Sequence, residues 1–294
     1  MAKPTLTAQD FHPEVLDAFD KYVHGMISRR EFLNRSSRFA VGGVTAASLL
    51  ASLSPDYAQA QDVADDDPRI TLETLVYPSP QNWQGYVAKP ADASGPLPAV
   101  LVIHENRGRN PYIEDVTRRL AVAGFLAMAP DALTSFGGWP GNDDEGRDLQ
   151  AQLDRDEMFA NWVAAVQYLQ QRPDSNGKVG AVGFCYGGGV VNQLAATLPD
   201  LAAGVPYYGS QVSAVEASNI KAPLLIHNAE LDTRIVSGQA AFGEALNAAG
   251  VPFEAYVYAG ANHGFHNNST PRFDEAAADL SWQRTLDWFN RYLR

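Results

Sequence analysis

Residues 178–189 read KVGAVGFCYGGG, and this stretch decides the fold. Residues 183–187 have the spacing G-x-C-x-G, and an apolar run comes directly before Cys185. The serine form of this pattern marks a sharp, strained turn between a buried strand and a helix, with the nucleophile at its tip. Glycines two positions before and after the nucleophile let the strand and the helix approach closely. We therefore predict that Cys185 begins a helix, where the helix dipole favours a thiolate.

Strand and helix patterns alternate along the chain from residue 70 onward, which is typical of a parallel sheet covered by helices. We predict an α/β-hydrolase fold, with a mainly parallel, doubly wound sheet, helices on both faces and an N-terminal antiparallel strand pair. The predicted strands are 70–77, 83–89, 99–103, 125–129, 178–184, 204–208, 223–227 and 253–258. The predicted helices are 113–123, 158–171, 186–198, 237–249 and 274–293.

An acid and a histidine should follow the nucleophile in that order, each on a loop after a later strand. Asp232 and His263 occupy these positions. Asp232 would orient the imidazole, and His263 would take the thiol proton and later activate water. The N–H of Tyr186 would face the oxyanion. Three rivals exist: Glu230 is better explained as a loop carboxylate, His227 as a structural histidine at a strand end, and His266 as a residue lining the pocket.

Composition excludes several classes of function. The net charge of −12 argues against nucleic-acid binding, which needs basic patches. A single cysteine excludes an intrachain disulfide. His104-Glu105 lacks a second histidine four residues on, so the sequence predicts no metal site. His12 and His24 lie in the N-terminal segment and are given no catalytic role.

The first sixty residues resemble a secretory signal of the twin-arginine type. Arg29 and Arg30 precede Phe32-Leu33 and an uncharged stretch over 39–53, and residues 57–60 (Tyr-Ala-Gln-Ala) supply a small-residue cleavage site. The apolar stretch is too short to span a bilayer stably. We therefore expect export to the periplasm or beyond by the twin-arginine machinery, with only transient membrane contact.

Residues 1–27 are longer than an ordinary leader region and have an amphipathic pattern from Phe11 to Val23. The alternative interpretation is an ordered helix that packs on the enzyme or on a partner, retained in a cytoplasmic protein. The acidic stretch that follows predicts a linker over 61–69. The hydrolase domain is then 70–294.

Several runs resemble the dienelactone hydrolases (carboxymethylenebutenolidases). These runs are 175–189 around the nucleophile, 102–108 (Val-Ile-His-Glu-Asn-Arg-Gly), 129–131, 207–209 and the His263 loop. The resemblance covers roughly residues 70–294. It implies the triad Cys185, Asp232 and His263 and no cofactor. It also implies that Glu105 contacts the nucleophile and controls its ionisation, and that the N–H of Asn106 is the second oxyanion donor. Glu105 independently ends a buried strand at its carboxyl edge, where α/β active sites lie.

The chain departs from the family pattern where the family binds a substrate carboxylate with two arginines. One of them follows the catalytic histidine by four residues, and Asn267 stands there in this chain. Arg147 is our candidate for the other arginine, with Arg155 as an alternative, and Tyr208 in the matching run is a further substrate-binding candidate. Losing an arginine disfavours a dianionic substrate, because bidentate carboxylate recognition depends on the guanidinium.

The sequence thus predicts a hydrolase of a small-molecule ester or lactone that acts through a thioester acyl-enzyme. The alternative is an exported redox-sensitive thiol protein that has a hydrolase fold but no esterase activity, because a thiolate at a helix N-terminus oxidises easily.

Overall fold

The computed structural model describes residues 6–58 and 61–294, and an eight-stranded sheet forms its centre. Its strand order is β1-β2-β4-β3-β5-β6-β7-β8. The strands are β1 (Ile70–Val76), β2 (Gln84–Pro90), β3 (Leu97–Ile103), β4 (Leu126–Pro130), β5 (Ser175–Phe184), β6 (Ala203–Tyr207), β7 (Leu224–Ala229) and β8 (Phe253–Tyr258). All eight predicted strands are present.

The pairing of the strands confirms the predicted fold class. Strand β2 pairs antiparallel with both β1 and β4, and every other neighbouring pair is parallel. Because the parallel strands run the same way, their carboxyl ends meet at one edge of the sheet. The loops after β3, β5, β7 and β8 therefore come together there, which is where α/β folds place their active sites.

Helices cover both faces of the sheet. Helices α4 (Pro111–Val122) and α11 (Glu275–Leu293) bury their apolar residues on one face. Helices α6 (Arg155–Gln171), α7 (Tyr186–Thr197) and α10 (Gln239–Ala248) do so on the other. Shorter helices α5 (Asp143–Gln150), α8 (Ala214–Ala217) and α9 (Thr233–Val236) lie in the connections.

Some predicted boundaries were wrong by a few residues. Strand β5 begins at Ser175 rather than residue 178, because Ser175 pairs with Leu97 at the start of β3. The first residues of β5 are polar and carry no apolar signal in the sequence. The chain leaves β6 at Tyr207, since Tyr208 has a positive φ of 37° that an extended strand cannot hold. A proline before the apolar pattern starts α4 at Pro111, with Asn110 as its N-cap.

Residues 6–58 form three helices with an apolar core of their own, and we call this part the N-terminal segment. It contains α1 (Pro13–Val23), α2 (Arg29–Ser36) and α3 (Ala46–Leu53). The apolar residues of the amphipathic pattern lie on the buried face of α1. They pack with Phe32 of α2 and with Leu50 and Leu53 of α3. The paired arginines thus lie in the first turn of α2, and part of the uncharged stretch folds as α3.

The C-terminal end of the N-terminal segment is hydrogen-bonded to the hydrolase domain. The N–H of Asp56 donates to the Ser269 carbonyl at 2.7 Å, and the Tyr57 hydroxyl donates to Asp143 at 2.7 Å. The predicted linker is also anchored, because Val63 is buried and its N–H donates to Asp115. Residues 59 and 60 of the predicted cleavage site lie outside the described residues. None of the helices described is both long and apolar enough to cross a membrane.

Candidate active site

Cys185 lies at the tip of a sharp turn between β5 and α7, as the sequence predicts. Its backbone has φ 57° and ψ −114°, a left-handed conformation that costs energy for any residue with a side chain. A hydrogen bond from its N–H to the Tyr207 carbonyl, 3.1 Å long, fixes the turn to the neighbouring strand. The thiol therefore sits at the N-terminus of α7, where unpaired backbone N–H groups favour a negative charge.

The glycines of this turn are required by backbone contacts. A Cβ on Gly183 would lie 2.2 Å from the Gly187 carbonyl oxygen, and one on Gly187 would lie 2.3 Å from the Ile103 carbonyl oxygen. Both neighbours are backbone atoms that cannot swing aside. The spacing G-x-C-x-G thus follows from how closely β3, β5 and α7 approach one another.

Asp232 and His263 meet on the loops after β7 and β8. His263 Nδ1 lies 2.5 Å from Asp232 Oδ2, and both side chains are buried. Since Nδ1 donates to the carboxylate, the other ring nitrogen, Nε2, is left to face the sulfur. Nε2 is buried and has no hydrogen-bond partner among the described residues. A ring nitrogen of His263 lies within 4.8 Å of the Cys185 sulfur, and each residue shifts the pKa of the other.

The charges around the thiol favour its ionised form. Burial works against a charged sulfur, but His263 and His24 outweigh it and hold the pKa of the Cys185 thiol well below its ordinary value. The pKa of His263 is correspondingly raised, because Cys185 and the Asp232 hydrogen bond overcome its burial. This site therefore stabilises a thiolate beside an imidazolium.

His24 is a residue of this site that the sequence interpretation missed. Its Nε2 lies 3.3 Å from the Cys185 sulfur, and its ring lies edge-on to that of His263 with 4.6 Å between centroids. The two residues His24 and Cys185 are 161 positions apart in sequence. Assigning the whole segment to an export signal removed His24 from consideration. The signal that could have found it was the amphipathic helix, whose buried face ends one residue before this histidine.

Glu105 is buried after β3, and its contacts partly match the expectation. Its carboxylate accepts a hydrogen bond from Asn267 Nδ2 at 3.3 Å and lies 4.0 Å from Arg107 Nε. Burial raises the pKa of Glu105, Arg107 opposes that rise, and the charge of Cys185 adds to it. The carboxylate and the sulfur are thus electrostatically linked. Asn267, at the position of a family arginine, supports Glu105 and also accepts from Ser269.

The two expected oxyanion donors lie at the right loops. The N–H of Tyr186 is the first of α7, where helix geometry provides no backbone acceptor. Asn106 follows Glu105 on the loop after β3, and its side chain donates to the Val23 carbonyl of the N-terminal segment at 2.8 Å. The segment thus contacts the loop that carries the second donor.

The substrate-binding candidates are spread over different places. Tyr208 is buried beside His263, with 4.8 Å between ring centroids, and its hydroxyl has no hydrogen-bond partner among the described residues. Arg147 lies at the junction with the N-terminal segment, where its guanidinium stacks 4.5 Å above the Tyr22 ring and pairs with Asp144. Arg155 is exposed at the start of α6. In this arrangement the Arg147 guanidinium binds Tyr22 of the N-terminal segment.

The rival residues have structural contacts. Glu230 accepts from the N–H of Gly260, as expected of a loop carboxylate. His227 is buried between Tyr258 and Thr285, which agrees with a structural role. His266 bonds to the Tyr112 hydroxyl and is packed among aromatic rings rather than lining an open pocket.

His24, Cys185 and His263 also form a possible metal-ligand group. Their donor atoms all lie within 4.8 Å of one another, and a thiolate with two imidazoles suits zinc. The sequence interpretation missed this group because it considered only histidines spaced closely along the chain. The same sulfur and nitrogens are those that acyl transfer would use, so the group belongs to the site already described.

A nucleophile turn at the carboxyl edge of a mainly parallel sheet, followed by an acid and a histidine on later loops, defines an α/β-hydrolase. The chain belongs to the dienelactone hydrolase family, whose sequence model matches residues 83–293. It is therefore a hydrolase of that family. A second family, described as YqhI-like, matches residues 3–41, which lie mainly in the N-terminal segment.

Individual relatives agree with this assignment. “Putative carboxymethylenebutenolidase” of Escherichia coli O157:H7 is 31% identical over 245 residues, which cover 77% of this chain and 89% of that protein. “Putative hydrolase fragment YghX” of Escherichia coli K12 is 56% identical over 114 residues, 38% of this chain and 97% of that protein. The crystal structure of a “Putative Dienelactone Hydrolase” from Klebsiella pneumoniae has a TM-score of 0.68 and 29% identity, covering 76% of this chain and 99% of that one.

Proposed function

We propose that this hydrolase cleaves carboxylic ester or lactone bonds with a triad of Cys185, His263 and Asp232, through a thioester acyl-enzyme. The observation that carries the proposal is the 2.5 Å contact between His263 Nδ1 and Asp232, in a site where a His263 ring nitrogen lies within 4.8 Å of the Cys185 sulfur. Nε2 of this ring is buried and has no hydrogen-bond partner among the described residues. Asp232 fixes the tautomer and orientation of the imidazole, and the thiolate form of Cys185 is the nucleophile.

In the proposed mechanism the sulfur attacks the carbonyl carbon, and the oxyanion is stabilised by the N–H groups of Tyr186 and Asn106. Collapse of the tetrahedral intermediate releases the alcohol, which in a lactone remains attached to the acyl group. His263 then activates water for attack on the thioester, which releases the acid and restores the thiol. Glu105 is electrostatically linked to the sulfur, and its carboxylate form would oppose ionisation of the resting thiol.

The substrate is a small ester or lactone, and the names of the relatives suggest an enol-lactone. Asn267 has replaced one of the arginines expected for a second carboxylate, and Arg147 is engaged by the N-terminal segment. We therefore favour a substrate with less negative charge than a dienelactone. A panel of lactones, short acyl esters and thioesters would rank these classes by kcat/KM.

Replacing the nucleophile tests the proposal directly. We expect Cys185→Ala to lower kcat/KM for a p-nitrophenyl ester or a dienelactone by at least about 10³-fold, because covalent catalysis is lost while binding remains. Steady-state kinetics measure the loss, and equal thermal stability of the two proteins is the control. Turnover that survives in Cys185→Ala would refute the triad. A thiol that oxidises in mild peroxide, in a protein without ester turnover, would instead indicate the redox function.

Export stays a prediction from Arg29 and Arg30, and we propose periplasmic or other exported localisation on that basis, with a retained segment in the cytoplasm as the alternative. N-terminal sequencing of protein from the native cell tests both. A mature start near Gln61 indicates export with removal of the segment, whereas a start at the beginning of the chain indicates retention.

A further inference from the structure

A second imidazole–carboxylate pair faces the nucleophile from the N-terminal segment. His24 directly follows α1, and its Nδ1 lies 2.7 Å from the Asp20 carbonyl oxygen and 3.3 Å from Asp20 Oδ1. A nitrogen flanked by two oxygens carries the proton, so Nδ1 donates and Nε2 faces the Cys185 sulfur, 3.3 Å away. The sulfur thus lies between two imidazoles, each oriented by an aspartate.

The position of His24 is fixed by contacts of the residues that precede it. The Val23 carbonyl accepts from Asn106 Nδ2 at 2.8 Å, and the Tyr22 hydroxyl donates to Asp144 at 2.6 Å. Arg272, which is buried, pairs with Asp20 at 3.5 Å. The last turn of α1 is therefore bound to three separate parts of the hydrolase domain, which rigidly positions the ring at its end.

The surrounding charges support an imidazolium at His24. Burial disfavours the charged ring, but Cys185 and Asp20 outweigh it and raise the pKa of His24 to about 10. The side chain of Arg234 approaches Nε2 at 3.3 Å but is 38% exposed, so solvent screens its repulsion. The titratable and charged groups that face His24 are Asp20 on its own helix, Cys185 at the nucleophile turn, Arg234 on α9, and His263 and Arg272 on the loops after β8.

We propose that His24 is a catalytic residue of this hydrolase, which takes the proton of the Cys185 thiol and returns it to the leaving group. This inference rests on the proposed function and requires the N-terminal segment in the working enzyme, so it takes the retained segment, the alternative to a cleaved export signal. It divides the proton transfers between two rings: His24 serves acylation, and His263 serves the attack of water on the acyl-enzyme.

Each step conserves atoms and charge. The S–H bond breaks and an N–H bond forms at His24 Nε2, which leaves a thiolate. The thiolate bonds to the carbonyl carbon, the bond to the leaving oxygen breaks, and that oxygen takes the proton from His24. Water then adds to the thioester as its proton passes to His263. The C–S bond breaks, the acid departs, and the proton on His263 returns to the sulfur.

The ionisation of the thiol tests this role separately from turnover. In His24→Gln we expect the midpoint of the pH profile for iodoacetamide alkylation of Cys185 to rise by at least about one pH unit. At a pH below both midpoints the rate would then fall about tenfold, since one pKa unit changes the thiolate fraction by that factor there. The acid limb of the kcat/KM profile should move the same way.

Two aspartates on α1 provide a matched comparison. Asp20→Asn should shift the alkylation midpoint in the same direction but less, because Asp20 is a positioning residue that acts through His24. Asp17→Asn, one turn earlier, removes a carboxylate that is 60% exposed and pairs only with Lys21 among its described contacts, so its profile should match that of the unaltered protein.

Several outcomes would overturn the proposal. An unchanged alkylation profile in His24→Gln, with the segment still protected from protease, would remove any role in thiol ionisation. A rise in kcat/KM would show that His24 blocks the nucleophile. A native N-terminus near Gln61 would show that the working enzyme lacks this residue.

The variant also requires a test of docking. If protease sensitivity shows that His24→Gln releases the segment, the alkylation profile is measured again with added imidazole. A midpoint that returns toward that of the unaltered protein supports the proposal, and an unchanged midpoint overturns it. Turnover that survives in Cys185→Ala would instead defeat the triad itself, and the alkylation profiles do not depend on that result.

Discussion

At the residue scale, the site depends on small residues as much as on reactive ones. The left-handed backbone of Cys185 projects the sulfur from the turn, and Gly183 and Gly187 leave the space that this conformation needs. Strain of this kind persists only where surrounding contacts hold it. The reactive geometry is therefore maintained by the close packing of β3, β5 and α7.

A methyl group at Gly187 should disrupt this packing. We expect Gly187→Ala to lower the free energy of unfolding by about 3 kcal/mol or more, because its Cβ would meet the Ile103 carbonyl oxygen at 2.3 Å and overpacking against backbone relaxes poorly. Urea denaturation measures the change. Gly95→Ala is the matched control, since a methyl group added in that exposed loop would meet no neighbouring atom within 4 Å. Equal stability of the two variants would contradict this account of the motif.

The positions of the proposed triad could be predicted from the sequence because they follow from local patterns. The elbow spacing identified Cys185, and the order of strands placed Asp232 and His263 on loops that the structure brings together. His24 could not be found in this way. Its approach to the sulfur depends on how α1 docks, which is a tertiary contact across 161 residues without a local signal. Substrate binding by Arg147 stays a prediction, and its contact with Tyr22 of α1 is a second tertiary feature without a local signal.

At the scale of elements, the N-terminal segment behaves as a small helical unit. Its apolar residues face one another, with Phe32 fully buried between Phe19 and Tyr22 at ring-centroid distances of 6.2 and 5.8 Å. The strands and long helices of the hydrolase domain were predictable from periodicity. The helices of the N-terminal segment could not be predicted in this way, because paired arginines, apolar runs and small residues occur both in export signals and in short helical bundles.

Phe32 should hold this unit together. We expect Phe32→Ala to cost the segment about 3–5 kcal/mol, the usual range for deleting a buried phenyl ring, and thereby to unfold it locally. Limited proteolysis would then cut within residues 6–58 while the hydrolase domain stays intact. Val41→Ala, at a side chain 71% exposed, should leave the cleavage pattern unchanged. Cleavage that begins in the hydrolase domain would disprove the local character of the effect.

At the scale of the whole molecule, the N-terminal segment and the hydrolase domain are coupled through the charges of His24 and Cys185. The raised pKa of His24, about 10, exceeds its ordinary value of 6.5, so the protonated ring stabilises the folded state. That contribution is complete below pH 6.5 and is lost as the pH rises toward 10. Asp20 acts in the opposite sense: its pKa is lowered, so its contribution is present above about pH 4 and is lost in acid.

This linkage predicts a pH-dependent stability difference. We expect the melting temperature of the unaltered protein to exceed that of His24→Gln most clearly between about pH 5 and 6.5, and the gap to close by about pH 10. Differential scanning calorimetry across this range measures it. A gap that widens with rising pH would mean that the folded protein holds His24 neutral.

The intrinsic fluorescence of Trp139 should report whether the N-terminal segment is docked. Its indole lies edge-on to Tyr57, at the end of the N-terminal segment, with 5.5 Å between ring centroids. All five tryptophans belong to the hydrolase domain, and the ring pairs of the other four, at positions 83, 162, 282 and 288, are with residues of that domain. Departure of the segment would transfer this indole from an aromatic contact to water, so intrinsic emission follows the opening of the site without an attached dye.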